Sequence, residues 1–131
     1  MARKCIVFFV YALMSMVRVE ASECVDNNHA ASLDSAIAAC ERFIRDTTRQ
    51  SAETVRVRAF LQLAQLNLQK RDFPSVDRAL VGVKQSEKFD ADKDVAFQYF
   101  RYQSLKYWYK KELTTAEDYA VSALKLAEDL E

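Results

Sequence analysis

The chain repeats itself at an interval of forty residues. Ala36, Val76 and Ala116 are forty apart, Leu33, Phe73 and Leu113 keep the same interval at turns, and Phe60 and Phe100 keep it inside two long apolar stretches. A fixed interval of this size marks a supersecondary unit used more than once, and such a unit buries its apolar stripe only by stacking on its neighbour. A single Gly and a single Pro in 131 residues leave little material for the tight turns of a sheet. With half of the residues hydrophobic, the expected class is all-α.

Residues 1–21 are set apart from the fold. MARK gives a basic start, Cys5 to Val17 is an uncharged apolar run, and Val19-Glu20-Ala21 offers a signal peptidase site, so a signal peptide cleaved after Ala21 is expected, with residues 22–131 as the mature helical domain. The apolar run falls short of the roughly twenty residues that span a bilayer, so no stable membrane anchor is expected after cleavage. Ser22 and Glu23 do not suit a lipidation site at Cys24. Loss of Arg3, Lys4, Arg18 and Glu20 leaves sixteen basic and eighteen acidic residues, a net charge of −2, which gives no electrostatic grip on nucleic acid. The two remaining cysteines, Cys24 and Cys40, are expected to bridge in an oxidising compartment, with two buried thiols as the alternative. Such a loop would stabilise the fold by about 3 kcal/mol.

Helices follow from spacing. Leu33, Ala36, Ile37, Cys40, Phe43 and Ile44 recur at intervals of three and four, predicting a helix that starts near Ser32 and carries Arg42 and Arg45 in its last turns, where positive charge suits the helix dipole. Asp46 to Thr54 is polar and closes it. Phe60, Leu61, Leu63, Ala64, Leu66 and Leu68 then make one helical face, and Val76, Ala79, Leu80 and Val83 a second. Between them Asp72 can cap the second helix, and Pro74 suits its first turn, where the missing N–H costs nothing. Gln85 to Asp94 reads as a polar connection whose only bulky residue is Phe89. Val95 to Lys110 is an aromatic-rich helix, and Thr114 with Glu117 predicts a capping box for a last helix that runs to about Leu130. Ala116, Ala120, Ala123 and Ala127 give that helix a small-residue face for close approach. The sum is about five helices after the signal peptide, one alone and two complete pairs.

The central pair resembles a tetratricopeptide repeat (TPR). Phe60, Leu63, Ala64 and Asn67 take the positions of the first helix, Arg71-Asp72-Phe73 the turn, and Val76, Leu80 and Val83 the second helix; the later unit reads Phe100, Gln103, Ser104 and Tyr107, then Lys111-Glu112-Leu113, then Ala116, Ala120 and Ala123. The departures are Gln103 in place of a Leu, Asn67 in place of an aromatic, no closing Pro, and a period longer than the family's thirty-four. Cys24 followed by LDSAIAACERFI also resembles secreted bacterial TPR proteins. The resemblance implies a right-handed α-solenoid, a periplasmic or secreted location, a protein or peptide partner, and no enzymatic activity.

It also implies a binding groove lined by the first helix of each pair. The positions are Arg58, Leu61, Gln65, Leu68 and Gln69, then Gln98, Arg101, Leu105, Trp108 and Tyr109. Trp, Tyr and Arg dominate binding hot spots because they bury much area with little lost freedom. Phe97, Phe100 and Tyr107 read as core, while Trp108 and Tyr109 divide evenly between groove and packing. The Lys and Asn set with which some TPR domains hold a C-terminal carboxylate is missing, since Leu61 and Gln65 stand where it begins.

Catalysis finds no support. His29 is the only histidine, with no nucleophile beside it. The lone Gly82 does not make a phosphate loop, and no spacing suggests zinc, haem or an iron–sulfur cluster, so neither cofactor nor metal is expected. A rival reading is a small structural subunit without a groove, forming a homodimer through Val121, Leu124, Leu126 and Leu130 of the last helix.

Overall fold

The computed structural model describes Cys24 and residues 32–46 and 53–129, so the expected signal peptide, His29 and Leu130 lie outside the described residues. The described chain is all-α. Its helices are α1 (Leu33–Asp46), α2 (Glu53–Lys70), α3 (Phe73–Gln85), α4 (Lys88–Ala91), α5 (Lys93–Tyr109) and α6 (Leu113–Asp129). Five were expected. The sixth, α4, is a single turn inside the polar connection, placed where Phe89 packs its ring edge-on to Tyr99, centroids 5.1 Å apart, and against Phe100 at 6.1 Å. The chain divides into two compact units, with the division after Lys88.

In the first unit α1 packs on α2, and α2 on α3. Ser32 caps α1, its Oγ accepting from the Ser35 N–H at 3.1 Å. Ile37 and Cys40 of α1 meet Ala59 and Leu66 of α2 in one apolar cluster, with Leu33, Ala36, Phe43, Ile44 and Leu63 at its edge. Cys24 joins the same cluster. Its Cα lies 4.5 Å from that of Cys40, within the span a disulfide bridges. Lys70 Nζ reaches Asp34 Oδ1 at 2.6 Å, the start of α1 beside the end of α2, so the two run antiparallel, though an exposed pair stabilises little. At the other end Ser86 Oγ donates to Glu53 at 2.6 Å, joining the end of α3 to the start of α2. On α3, Val76, Ala79, Leu80 and Val83 are all buried, as their spacing predicts. A fully buried Val or Leu contributes roughly 1.5–3 kcal/mol.

The second unit is a pair, α5 on α6. Ala116, Ala120 and Ala123 are sealed from solvent, and these small side chains let α5 come close enough for Ser104 Oγ to donate to the Ala116 carbonyl at 2.8 Å. Phe97 and the two later alanines form the apolar centre, with Phe100, Leu126 and Ala127 against it. Tyr107 and Tyr119 stack nearly parallel, centroids 5.6 Å apart. Lys93 Nζ stands 3.7 Å from Asp129, so these helices too run antiparallel.

The two turns are built the same way, forty residues apart. The Arg71 N–H donates to Leu68 O at 3.1 Å and the Asp72 N–H to Asn67 O at 3.0 Å; Lys111 donates to Trp108 O at 3.0 Å and Glu112 to Tyr107 O at 2.9 Å. Arg71 and Lys111 both have φ of 64°. This is the left-handed helix closure that usually carries glycine. Asp72 then caps α3, its carboxylate accepting from the Ser75 N–H at 3.3 Å and the Ser75 hydroxyl at 2.8 Å, with Pro74 in the first turn. Those two hydrogen bonds hold Asp72 below its ordinary pKa. The Thr114–Glu117 capping box is corrected. The closure places Glu112 where Asp72 stands in the earlier turn, and the Ala116 N–H donates to Glu112 O at 3.0 Å, so α6 starts at Leu113 and Thr114 is already inside it.

Candidate functional site

The long helices α2 and α5 open the two pairs, and they carry the predicted groove residues. On α2, Arg58 and Gln69 are exposed, Gln65 is half-buried, and Leu61 and Leu68 are buried. On α5, Gln98 and Tyr109 are half-buried, Arg101 and Leu105 are buried, and Trp108 is 37% exposed. The expectation of an open lining therefore needs correcting at Leu61, Leu68, Arg101 and Leu105. The reason is visible on α5, where residues 101–106 are all buried. Six consecutive positions occupy every side of a helix, so α5 has no single wet face. Of the aromatics read as core, Phe97 is buried, while Phe100 and Tyr107 are half-buried.

Burial on these helices includes polar groups without partners. Among the described residues, the buried side-chain nitrogen and oxygen atoms lacking a hydrogen bond belong to Arg56, Gln62 and Gln65 on α2 and to Gln98, Arg101 and Gln103 on α5. Native structures leave few such atoms, because each costs about 1–3 kcal/mol. Here they collect on the first helix of each pair, and Gln65, Gln98 and Arg101 are among the residues that the TPR resemblance assigned to the groove.

Arg101 is the extreme case. It is fully buried, its guanidinium carbon 5.5 Å from the centre of the Phe97 ring and 5.2 Å from that of Tyr102. Nη2 reaches the Tyr102 hydroxyl at a long 3.5 Å, while Nε and Nη1 have no acceptor. Burial pushes the Tyr102 phenol above its ordinary pKa, against the opposing pull of Arg101. Nearby, Gln103 donates to the Tyr99 hydroxyl at 3.1 Å. Lys106, buried too, lies 4.2 Å from the centre of the Tyr107 ring.

Sequence reasoning missed a cleft of about 480 Å³ at the open end of the α2–α3 pair, lined by Glu53, Arg56, Phe60, Gly82, Gln85, Ser86 and Glu87. Its one legible signal was Gly82, the only glycine, which lies under the Phe60 ring. The surface proposed for self-association is mixed. Val121 is 48% exposed and Leu124 half-buried, but Leu126 packs on the apolar centre of its own pair.

Among the described residues no group of three His, Cys, Asp or Glu side chains is placed to hold a metal ion, and no helix is long and apolar enough to cross a membrane. What the arrangement offers chemically is donors, acceptors and aromatic faces. Comparison with protein-family models, with curated proteins and with solved structures gave no match.

Proposed function

We propose that this protein is an exported, TPR-like helical-repeat adaptor that binds a protein or peptide partner in the bacterial envelope. One observation carries the reading: two helical pairs close through the same left-handed turn and the same hydrogen bonds, forty residues apart. Repeats of this kind are quasi-one-dimensional scaffolds whose stacked first helices form an extended binding surface. The unpaired polar atoms on α2 and α5 add support, since a partner's backbone supplies the acceptors and donors that Gln65, Gln98 and Arg101 lack. In this reading the pairs stack as a right-handed solenoid, residues 1–21 are removed on export, and Cys24 and Cys40 are bridged, pinning the start of the mature chain to α1.

The test is affinity capture from an envelope extract with the wild-type protein and with Trp108→Ala and Gln65→Ala. A partner retained by the wild type and lost from both variants supports the adaptor, while identical recovery by all three refutes it. The exposure of Val121 supports a second reading, a subunit that pairs through α6. Sedimentation at several concentrations decides that one: a strict monomer at high micromolar removes it.

A further inference from the structure

We infer that Arg101 is an anion seat, the place where a carboxylate of the partner docks; this rests on the adaptor reading and names the partner's chemistry. A guanidinium stays charged at any physiological pH, so Arg101 carries a full positive charge into a fully buried site. An ionised group in such a place is normally paired and hydrogen-bonded, because burial without compensation is severely unfavourable. Among the described residues Arg101 has no carboxylate partner, and its one hydrogen bond is the long contact from Nη2 to the Tyr102 hydroxyl. Its neighbours Phe97 and Tyr102 offer ring faces, which favour a cation but do not accept its N–H groups, and two of its three nitrogens lack an acceptor.

The repeat sharpens the point. Forty residues earlier the same position is Leu61, also buried. An apolar side chain therefore satisfies this position in the first pair, and packing does not require an arginine in the second. Guanidinium–carboxylate pairing is the strongest neutralising contact available to such a group. A carboxylate from a partner, either a side-chain Glu or Asp or a chain terminus, completes it. With the group sealed from solvent, entry proceeds by local opening around α5.

The experiment uses the whole protein and its Arg101→Met and Arg101→Lys variants. Urea midpoints are measured against rising glutarate, at ionic strength held constant with chloride. The wild-type midpoint is expected to climb with glutarate, the Met variant to stay flat while matching or exceeding the wild type in its absence, and the Lys variant to respond more weakly. Equal responses in wild type and Met variant, or none in either, overturn the inference. Two peptides then separate the sources of the carboxylate: one with blocked ends and an internal Glu, the other with a free C-terminus and no acidic side chain. Displacement of the wild-type Arg101 Nε–H resonance by one and not the other assigns it. A partner captured through Trp108 without any carboxylate response leaves the adaptor standing and removes the anion seat; a carboxylate response with no captured partner does the reverse.

Discussion

Replacing Gly82 by Ala sets two effects of known size against each other. In an exposed helix interior the change gains roughly 1 kcal/mol, because glycine has more backbone freedom to lose. Here a Cβ at position 82 would stand 2.6 Å from Phe60 Cε1 and 2.7 Å from two further ring atoms. Ordinary carbon contacts lie at about 3.5–4.0 Å, so the ring must retreat by about an ångström. Overpacking of that kind costs about 1–3 kcal/mol. The net expectation is a loss of about 1 kcal/mol in Gly82→Ala, read as a lower urea midpoint by circular dichroism. Removing the ring removes the conflict. Phe60 is half-buried, so Phe60→Ala is expected to cost about 2 kcal/mol, below the full core value, and Gly82→Ala made in that background should restore about 1 kcal/mol. The cycle should thus show a coupling of about 2 kcal/mol. If Gly82→Ala stabilises the wild type as much as it stabilises Phe60→Ala, the packing of Phe60 on Gly82 is not what holds α2 against α3.

Lys111→Gly is expected to raise stability by about 0.5–1 kcal/mol, because φ of 64° strains any residue with a Cβ, and a thermal melt should rise by a few degrees. Arg71→Gly should gain less, since the Arg71 guanidinium also donates to the Leu68 carbonyl at 2.6 Å and that bond is lost. Cys40→Ala is expected to cost about 3 kcal/mol under oxidising conditions and far less with reductant present, checked by paired urea titrations. At alkaline pH, Tyr102 governs the sign. Above the ordinary phenol value of 10.0 the unfolded chain loses its proton while the buried Tyr102 keeps it, so stability falls as pH rises, and Tyr102→Phe should flatten that fall. At acid pH the direction reverses. Asp72 is held below 3.8, so its contribution is present above that value and is lost as pH falls through the lowered folded value; Asp72→Asn should show a shallower acid slope.

The long helices, the Asp72 cap and the turns belong to the sequence. Spacing placed the α3 core at Val76, Ala79, Leu80 and Val83, the α6 stripe at its alanines and the cap at Asp72, because these depend on neighbours three or four residues away. The forty-residue interval likewise marks both turns, since a left-handed closure is a local structure of a few residues. What the tertiary structure alone decided is which sides of α2 and α5 meet water. A helix buried all round, as α5 is over residues 101–106, carries no stripe for periodicity to find, so Arg101 and Leu105, which the TPR resemblance assigned to an open lining, are enclosed in the fold, and Leu61 and Leu68 of α2 are buried too. The same holds for the Thr114 box, displaced when the closure at Lys111 started α6 two residues sooner, and for the Phe60–Gly82 cleft. Its lining comes from opposite ends of a hairpin, more than twenty residues apart in the chain, and only packing brings them together.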